Sequence, residues 1–231
     1  MYKKKILIFG RRRTGKSALC NTLSETNEFK DHFGHNTTSD HIKSIQFPYM
    51  ELTMVDTSWL DANKIGEPDT LFRLLGTLYK LEEFHQILLV TSLRMNDLDV
   101  LIYNFLRSVL FDEDVEKYVT IVRNNFPFFR ERIYCEIDKL FCMNNEMVSL
   151  TPINENLTSY QGRSVGSIIH VDSIDEHSRK DSRIKLLSHI QQCNHLYNIR
   201  KHHHYQRETT GQTVEEKYEK FVYSRLWKKS I

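Results

Sequence analysis

Long apolar runs are the first thing this sequence lacks. Its apolar stretches, Ile6 to Phe9 and Ile87 to Val90 among them, stop at four residues, and a bilayer crossing needs about 20. No transmembrane helix is therefore expected. The start MYKKKILIFGRRR is basic like a secretion signal, but its apolar stretch falls short of the required length of about 7 to 15. It reads as mature cytosolic sequence. Glycine and proline are scarce, 8 and 4 residues in a chain of 231, which excludes collagen-like and low-complexity chains. The four cysteines, Cys20, Cys135, Cys142 and Cys193, have neither the density of a disulfide scaffold nor a CxxC metal pair. They are expected as core thiols of a reducing compartment, and the Asn-x-Thr triplets at Asn36 and Asn156 as chance matches. An excess of one charge is missing too. With 32 basic and 30 acidic residues the net charge is +2, so no nucleic-acid partner is expected.

What is present is enough to fill a core: 40% hydrophobic residues, 11% aromatic, in a length suited to one sizeable domain. Lys3 to Phe9 ends in a short continuous apolar run, the pattern of a strand buried on both faces. A helix from Lys16 to Leu23 and strands at Ile42 to Phe47 and Glu51 to Val55 follow. Strands and helices then alternate: helix Asp69 to Phe84, strand Gln86 to Ser92, helix Asp97 to Phe111, strand Tyr118 to Val122, helix Phe129 to Met147, strand Ser167 to Val171, helix Arg179 to Cys193. Leu98, Leu101, Phe105 and Val109 keep the 3.6-residue period. The polar stretch from Thr151 to Gly166 reads as a loop. Such alternation predicts an α/β protein, a mostly parallel sheet with helices on both faces.

Three segments are expected: a nucleotide-binding domain over 1–195, a polar His-rich and basic linker over 196–212, and an amphipathic helix over 213–231 built on Tyr218, Phe221, Val222 and Leu226. His202, His203 and His204 are adjacent, so they share no face, and no carboxylate or Cys stands at ligand spacing. A solvated linker suits them better than a metal site.

Chemistry enters at Gly10-Arg-Arg-Arg-Thr-Gly15-Lys16-Ser17, which fits G-x-x-x-x-G-K-[ST] between a buried strand and a helix start. Glycines let the loop fold back so that N–H groups, Ala18 in the first helical turn included, point at phosphate oxygens, and the helix dipole adds positive potential. Lys16 is expected on the β- and γ-phosphates and the Ser17 hydroxyl on Mg²⁺. The architecture is then a three-layer P-loop NTPase fold. Asp56, at the carboxyl end of a strand, is the candidate second metal residue. Thr38, with Thr37 as fallback, is the candidate switch threonine that completes the metal shell and joins Lys16 in catalysis. Arg11, Arg12 and Arg13 either add positive potential over the phosphates or face solvent.

The run GRRRTGKSALCNTL, the Asn-Thr-Thr segment, MVDTSWLD, YVTIVRNNF and SIIHVDS together resemble the avirulence-induced-gene (GIMAP) family of GTPases, over roughly residues 3 to 193. The resemblance implies a guanine-nucleotide switch using GTP, GDP and Mg²⁺, which associates as a homodimer or oligomer through the nucleotide face. By position it implies that Gly10, Gly15, Lys16 and Ser17 bind phosphate and metal, that Thr38 is the switch I threonine and that Asp56 is the Asp of D-x-x-G. The chain departs from the family in three places. Trp59 replaces the D-x-x-G glycine, and Leu60 stands where a water-orienting Gln would follow. Arg13 falls where the family has a further glycine. The guanine motif T-[KR]-x-D appears as Val122-Arg123-Asn124-Asn125, with Arg123 and Asn125 as the base-side candidates; an amide at Asn125 offers guanine one acceptor and a mismatched donor where a carboxylate offers two acceptors. Asn125 reads equally as a turn residue after the strand. Three functions are open: a GTP-binding protein with slow or absent hydrolysis, a degenerate G domain serving as an oligomerising module, and an ATP-using small-molecule kinase.

Overall fold

The computed structural model describes residues 2–29, 42–57, 64–92, 97–111, 113–145 and 168–228. Thr37 and Thr38, Trp59 and Leu60, and the stretch from Thr151 to Gly166 lie outside the described residues.

Six strands form one sheet: β1 (Tyr2–Phe9), β2 (Ile42–Gln46), β3 (Met50–Asp56), β5 (Gln86–Ser92), β6 (Val119–Asn124) and β7 (Ile168–His170), in the order β2-β3-β1-β5-β6-β7. All neighbours pair in parallel except β2, which joins β3 as an antiparallel edge hairpin. The two-residue alternation of each strand divides the core. Ile6, Ile8, Leu88, Val90 and Val122 face α1 (Lys16–Ser24) and α5 (Arg179–Gln192), while Leu7, Phe9, Ile87, Leu89 and Val119 pack with α2 (Pro68–Leu81) and α3 (Asp97–Phe105). The expected doubly covered α/β sheet is present. Pro68 opens α2 at a position where a missing N–H costs nothing. A π-helical turn, Leu106–Leu110, ends the α3 segment, and a 3₁₀ turn, Glu113–Tyr118, leads into β6. Helix α4 (Arg132–Asn145) lies beyond β6 in the chain.

The expected linker is corrected. Residues Ile199–Thr210 form a helix, α6, followed by α7 (Val214–Lys228). Asn198 caps α6 by accepting a hydrogen bond from the Lys201 amide at 2.9 Å, and Gly211, at φ 68°, ends it in the left-handed conformation. Thr213 and Glu216 form a reciprocal capping pair for α7. The segment is tied down at its start. Two-residue strands β4 (Glu83–Phe84) and β8 (Tyr197–Asn198) pair antiparallel, and the Phe84 and Tyr197 rings stack at 4.9 Å between centroids. His202 stacks on the other side of this cluster against Tyr197, at 4.1 Å. The low aliphatic content of α6 thus conceals a helix that packs through the buried Ile199 and the imidazoles of His202 and His203.

Candidate functional site

The parallel register sets β1 between β3 and β5, with Ile8 beside Asp56 and Phe9 beside Leu89. The loop from Gly10 to Gly15 therefore starts where Asp56 ends its strand. A Cβ on Gly10 would stand 2.3 Å from the Val90 carbonyl oxygen, so the strand can turn away there only without a side chain. The loop then uses left-handed backbone twice, at Arg13 (φ 66°) and Gly15 (φ 86°). Arg13 occupies the position where the resemblance implies glycine, and it adopts the conformation a glycine would take at lower cost.

Within the loop the buried Lys16 ammonium donates to the carbonyls of Gly10 at 2.8 Å and Arg11 at 2.9 Å. Thr14 donates its hydroxyl to the Arg11 carbonyl at 3.0 Å. Ser17, in the first turn of α1 beside Ala18, donates to Asp56 Oδ2 at 3.0 Å. Thr57 closes the end of β3 by donating its amide and hydroxyl to the Ile8 carbonyl. The structure thus joins Gly10, Gly15, Lys16, Ser17 and Asp56 at the carboxyl ends of β1 and β3. The hydroxyl of Ser17 and the carboxylate of Asp56 are hard oxygen donors of the kind Mg²⁺ takes, and their convergence fits that ion.

The arginines divide. Arg11 turns sideways, its Nε 3.3 Å from Asp99 Oδ2 on α3 and its Nη2 donating to Ser92 Oγ at 3.2 Å. Arg12 and Arg13 are exposed. Asp99, fully buried, was not marked by any motif, since an acidic residue in the first turn of a helix reads as an ordinary dipole partner.

The base-side expectation is corrected at Arg123. Its guanidinium is buried and grips Asp138 with two bonds, Nε to Oδ2 at 3.1 Å and Nη2 to Oδ1 at 3.0 Å, and His170 Nε2 lies 2.7 Å from the same carboxylate. Burial alone would raise the Asp138 pKa, but the hydrogen bonds from Arg123 and His170 hold it below the ordinary carboxylate value. Burial pushes His170 below its ordinary value despite the opposing pull of Asp138. In this structure the Arg123 guanidinium thus ties β6 to α4.

The residue that meets the phosphate loop is Asn124. Its Nδ2 donates to the Thr14 carbonyl at 3.1 Å and the Gly15 carbonyl at 3.4 Å, and its Oδ1 accepts from the Ser173 amide at 3.0 Å and hydroxyl at 2.7 Å. Gly15 must be glycine for this strut to fit, because a Cβ there would lie 2.4 Å from Asn124 Nδ2. Asn125 is exposed at φ 59°, a conformation asparagine tolerates better than most residues. Sequence reasoning noticed the Asn-Asn pair but chose its second member for the site and gave Ser173 no role. The available signal was position: Asn124 is the last strand residue, where a side chain still faces the neighbouring loop. On the Ser173 side, Asp172 Oδ1 accepts from the amides of Ile174 and Asp175, which fixes the turn.

No family model matches the chain, and no curated protein sequence does. Solved structures do match in fold. Toc33 from Arabidopsis thaliana, determined with GDP and Mg²⁺, superposes with a TM-score of 0.52 over 76% of this chain and 73% of its own, at 13% identity. Era, determined with MgGDPNP and a 16S ribosomal RNA fragment, gives 0.50 over 84% of this chain and 58% of its own, at 14% identity. LeoA, a bacterial dynamin GTPase from ETEC, gives 0.50 over 81% and 35%, at 16% identity. The chain spans little more than half the length of Era, and 57% of the matched chain of an SsGBP variant. At these identities the likeness is one of fold alone, a three-layer α/β arrangement with a mostly parallel sheet. No described helix is long and apolar enough to cross a membrane.

Proposed function

We propose that this chain is a Mg²⁺-dependent guanine-nucleotide switch of the GIMAP type, binding GTP and GDP through Gly10 to Ala18 with Ser17, Asp56 and Thr38 around the metal. The observation that carries the reading is the convergence of Lys16 and of the Ser17–Asp56 contact on one glycine-hinged loop. Lys16 supplies the positive charge for the β- and γ-phosphates, and Mg²⁺ when bound neutralises charge on their oxygens. The motif order of the sequence supports the family, and the G-domain fold is what that family requires. Base selectivity is weak in this reading, since Asn125-Phe126-Pro127-Phe128-Phe129-Arg130 after the strut carries no carboxylate to pair with guanine. Hydrolysis is slow, near or below roughly 10⁻⁴ s⁻¹, because Leu60 replaces a water-orienting Gln.

Titration calorimetry with GTP and ATP, with and without Mg²⁺, tests this. Lys16→Ala abolishes binding and Ser17→Ala weakens its Mg²⁺ dependence; unchanged affinity in Lys16→Ala sinks the assignment. Asn125→Asp leaves the GTP to ATP ratio unchanged if Asn125 serves the turn, and shifts it roughly tenfold, about 1.4 kcal/mol, if it reads the base. Exposure and φ favour the turn.

A second reading, an oligomerising module for which nucleotide is optional, rests on Ile133, Tyr134 and Ile137 of α4, which are exposed beside Phe128. Phe128 and Tyr134 already stack on one another, at 4.8 Å. Light scattering separates the readings: a dimer that forms without nucleotide and is lost in Ile133→Glu favours the module.

A further inference from the structure

A cavity of about 420 Å³ lies among α2, α6 and the first turn of α7. Its wall includes Tyr79, from the last turns of α2, and the preceding elements fix its place in the molecule. Helix α2 runs back from the end of β3 toward the start of β5, so the cavity sits at the end of the sheet opposite the phosphate loop. On α6, Arg200, His203, His204 and Arg207 stand at i, i+3, i+4 and i+7, which puts all four on one helical face, and all four line the cavity.

These side chains differ in what they are already doing. His203 is committed: its Nε2–H donates to the Leu110 carbonyl at 2.6 Å, which leaves Nδ1 to accept from the Tyr79 hydroxyl at 3.1 Å. Burial lowers the His203 pKa, in keeping with a neutral ring in that role. His204 leans on the exposed Glu208 at 3.5 Å. Among the described residues neither Arg200 nor Arg207 makes a side-chain hydrogen bond or ion pair, and the Arg200 charge acts on the Tyr79 hydroxyl. Glu215, at the start of α7, is the one carboxylate among the described lining residues, so two guanidinium groups outweigh it and the wall is positive. The size is that of a small-molecule pocket. A guanidinium offers a planar fork of donors that matches a phosphate group, and the Tyr79 ring offers an apolar surface beside it.

We propose that this cavity is a second ligand site that takes a small organic phosphate, held by Arg200 and Arg207 with its organic part against Tyr79. The site does not depend on nucleotide binding at the phosphate loop.

Phenyl phosphate is the probe, followed by ¹H–¹⁵N NMR of the arginine and histidine side chains of the full chain. Saturable shifts at Arg200, His204 and Arg207 are expected below about 10 mM, a weak affinity suited to one phosphate on two guanidinium groups. The neutral benzyl alcohol produces no such shifts. Arg200→Gln and Arg207→Gln each weaken the probe roughly tenfold, the loss expected for one charge-assisted contact, and leave nucleotide titrations unchanged. Lys16→Ala, which removes phosphate binding at the loop, leaves the probe's shifts in place. No saturation below about 10 mM, equal binding of benzyl alcohol, or loss of the shifts in Lys16→Ala each overturns the proposal. Pelleting with phosphatidylcholine vesicles containing phosphatidylinositol phosphate distinguishes the source: Arg200- and Arg207-dependent pelleting assigns the phosphate to a lipid headgroup, and its absence alongside the NMR shifts assigns it to a soluble molecule.

Discussion

Where β1, β3 and β6 end, single polar side chains hold the chain: Lys16 on two loop carbonyls, Ser17 on Asp56, and Asn124 between the phosphate loop and Ser173. Where β5 and β6 begin, rings hold it. Phe84 contacts Phe111, Tyr118 and Tyr197, and Tyr197 in turn contacts Phe111, Tyr118 and His202. The first kind of joint is directional and exchangeable, since each carbonyl or carboxylate released by a side chain can be satisfied by a ligand or by water. The second is non-directional and comes apart only by exposing apolar area. A nucleotide site placed at the first end can rearrange its bonds while the aromatic end keeps α6 and α7 attached.

The largest effect that separates the two ends is expected for Tyr197→Ala. Removing a fully buried ring from this cluster costs about 3–5 kcal/mol in urea unfolding yet changes nucleotide affinity little. A parallel loss of nucleotide binding would mean that the ends are not independent. Next is Asn124→Ala, which leaves the Ser173 amide and hydroxyl without their acceptor and costs about 1–3 kcal/mol. Here nucleotide affinity falls as well, because the loop loses its brace; thermal melts and calorimetry on one sample check both. The smallest effect is on pH. Burial lowers the pKa of His85, His170, His189 and His203, so each binds a proton less readily folded than unfolded. The unfolded chain then takes up more protons below its ordinary histidine value of about 6.5, and stability falls as pH drops through that point. His203 lies in α6 and none of the four lies in the loop, so protection against hydrogen exchange should be lost in α6 before it is lost in the loop as pH falls. Equal protection at both ends would contradict this.

The same division explains what the sequence revealed. The loop geometry was legible because the motif places fixed residue types at fixed spacing, with glycines at Gly10 and Gly15 where the backbone needs them and Lys16 and Ser17 at the start of α1. The sheet was legible from buried apolar runs such as Ile87 to Val90. Helix α6 was not, because beyond the single buried aliphatic residue Ile199 its packing face continues with His202 and His203, which hydropathy counts as polar, although its Asn198 cap and Gly211 stop stood in plain view. The role of Arg123 was hidden for another reason: its partner Asp138 comes from α4 and its neighbour His170 from β7, and spacing along one motif does not report contacts between distant segments. Asn124 is the last residue of β6 and Asn125 the left-handed residue after it, at φ 59°, and two identical residue types in a row do not say which of them ends the strand.

The ladder of β4 with β8 joins Glu83 and Phe84 to Tyr197 and Asn198, residues from the middle of the chain and from near its end. Closing so long a loop has a high entropy cost for only two residue pairs, so this step waits for the sheet between them to form. During synthesis the phosphate loop, α1 and the strands through β7 leave the ribosome before Tyr197 does. Phe84 therefore spends that interval without its stacking partner, and the pairing of β4 with β8 is a latch that closes over an apolar ring only after Tyr197 has been made.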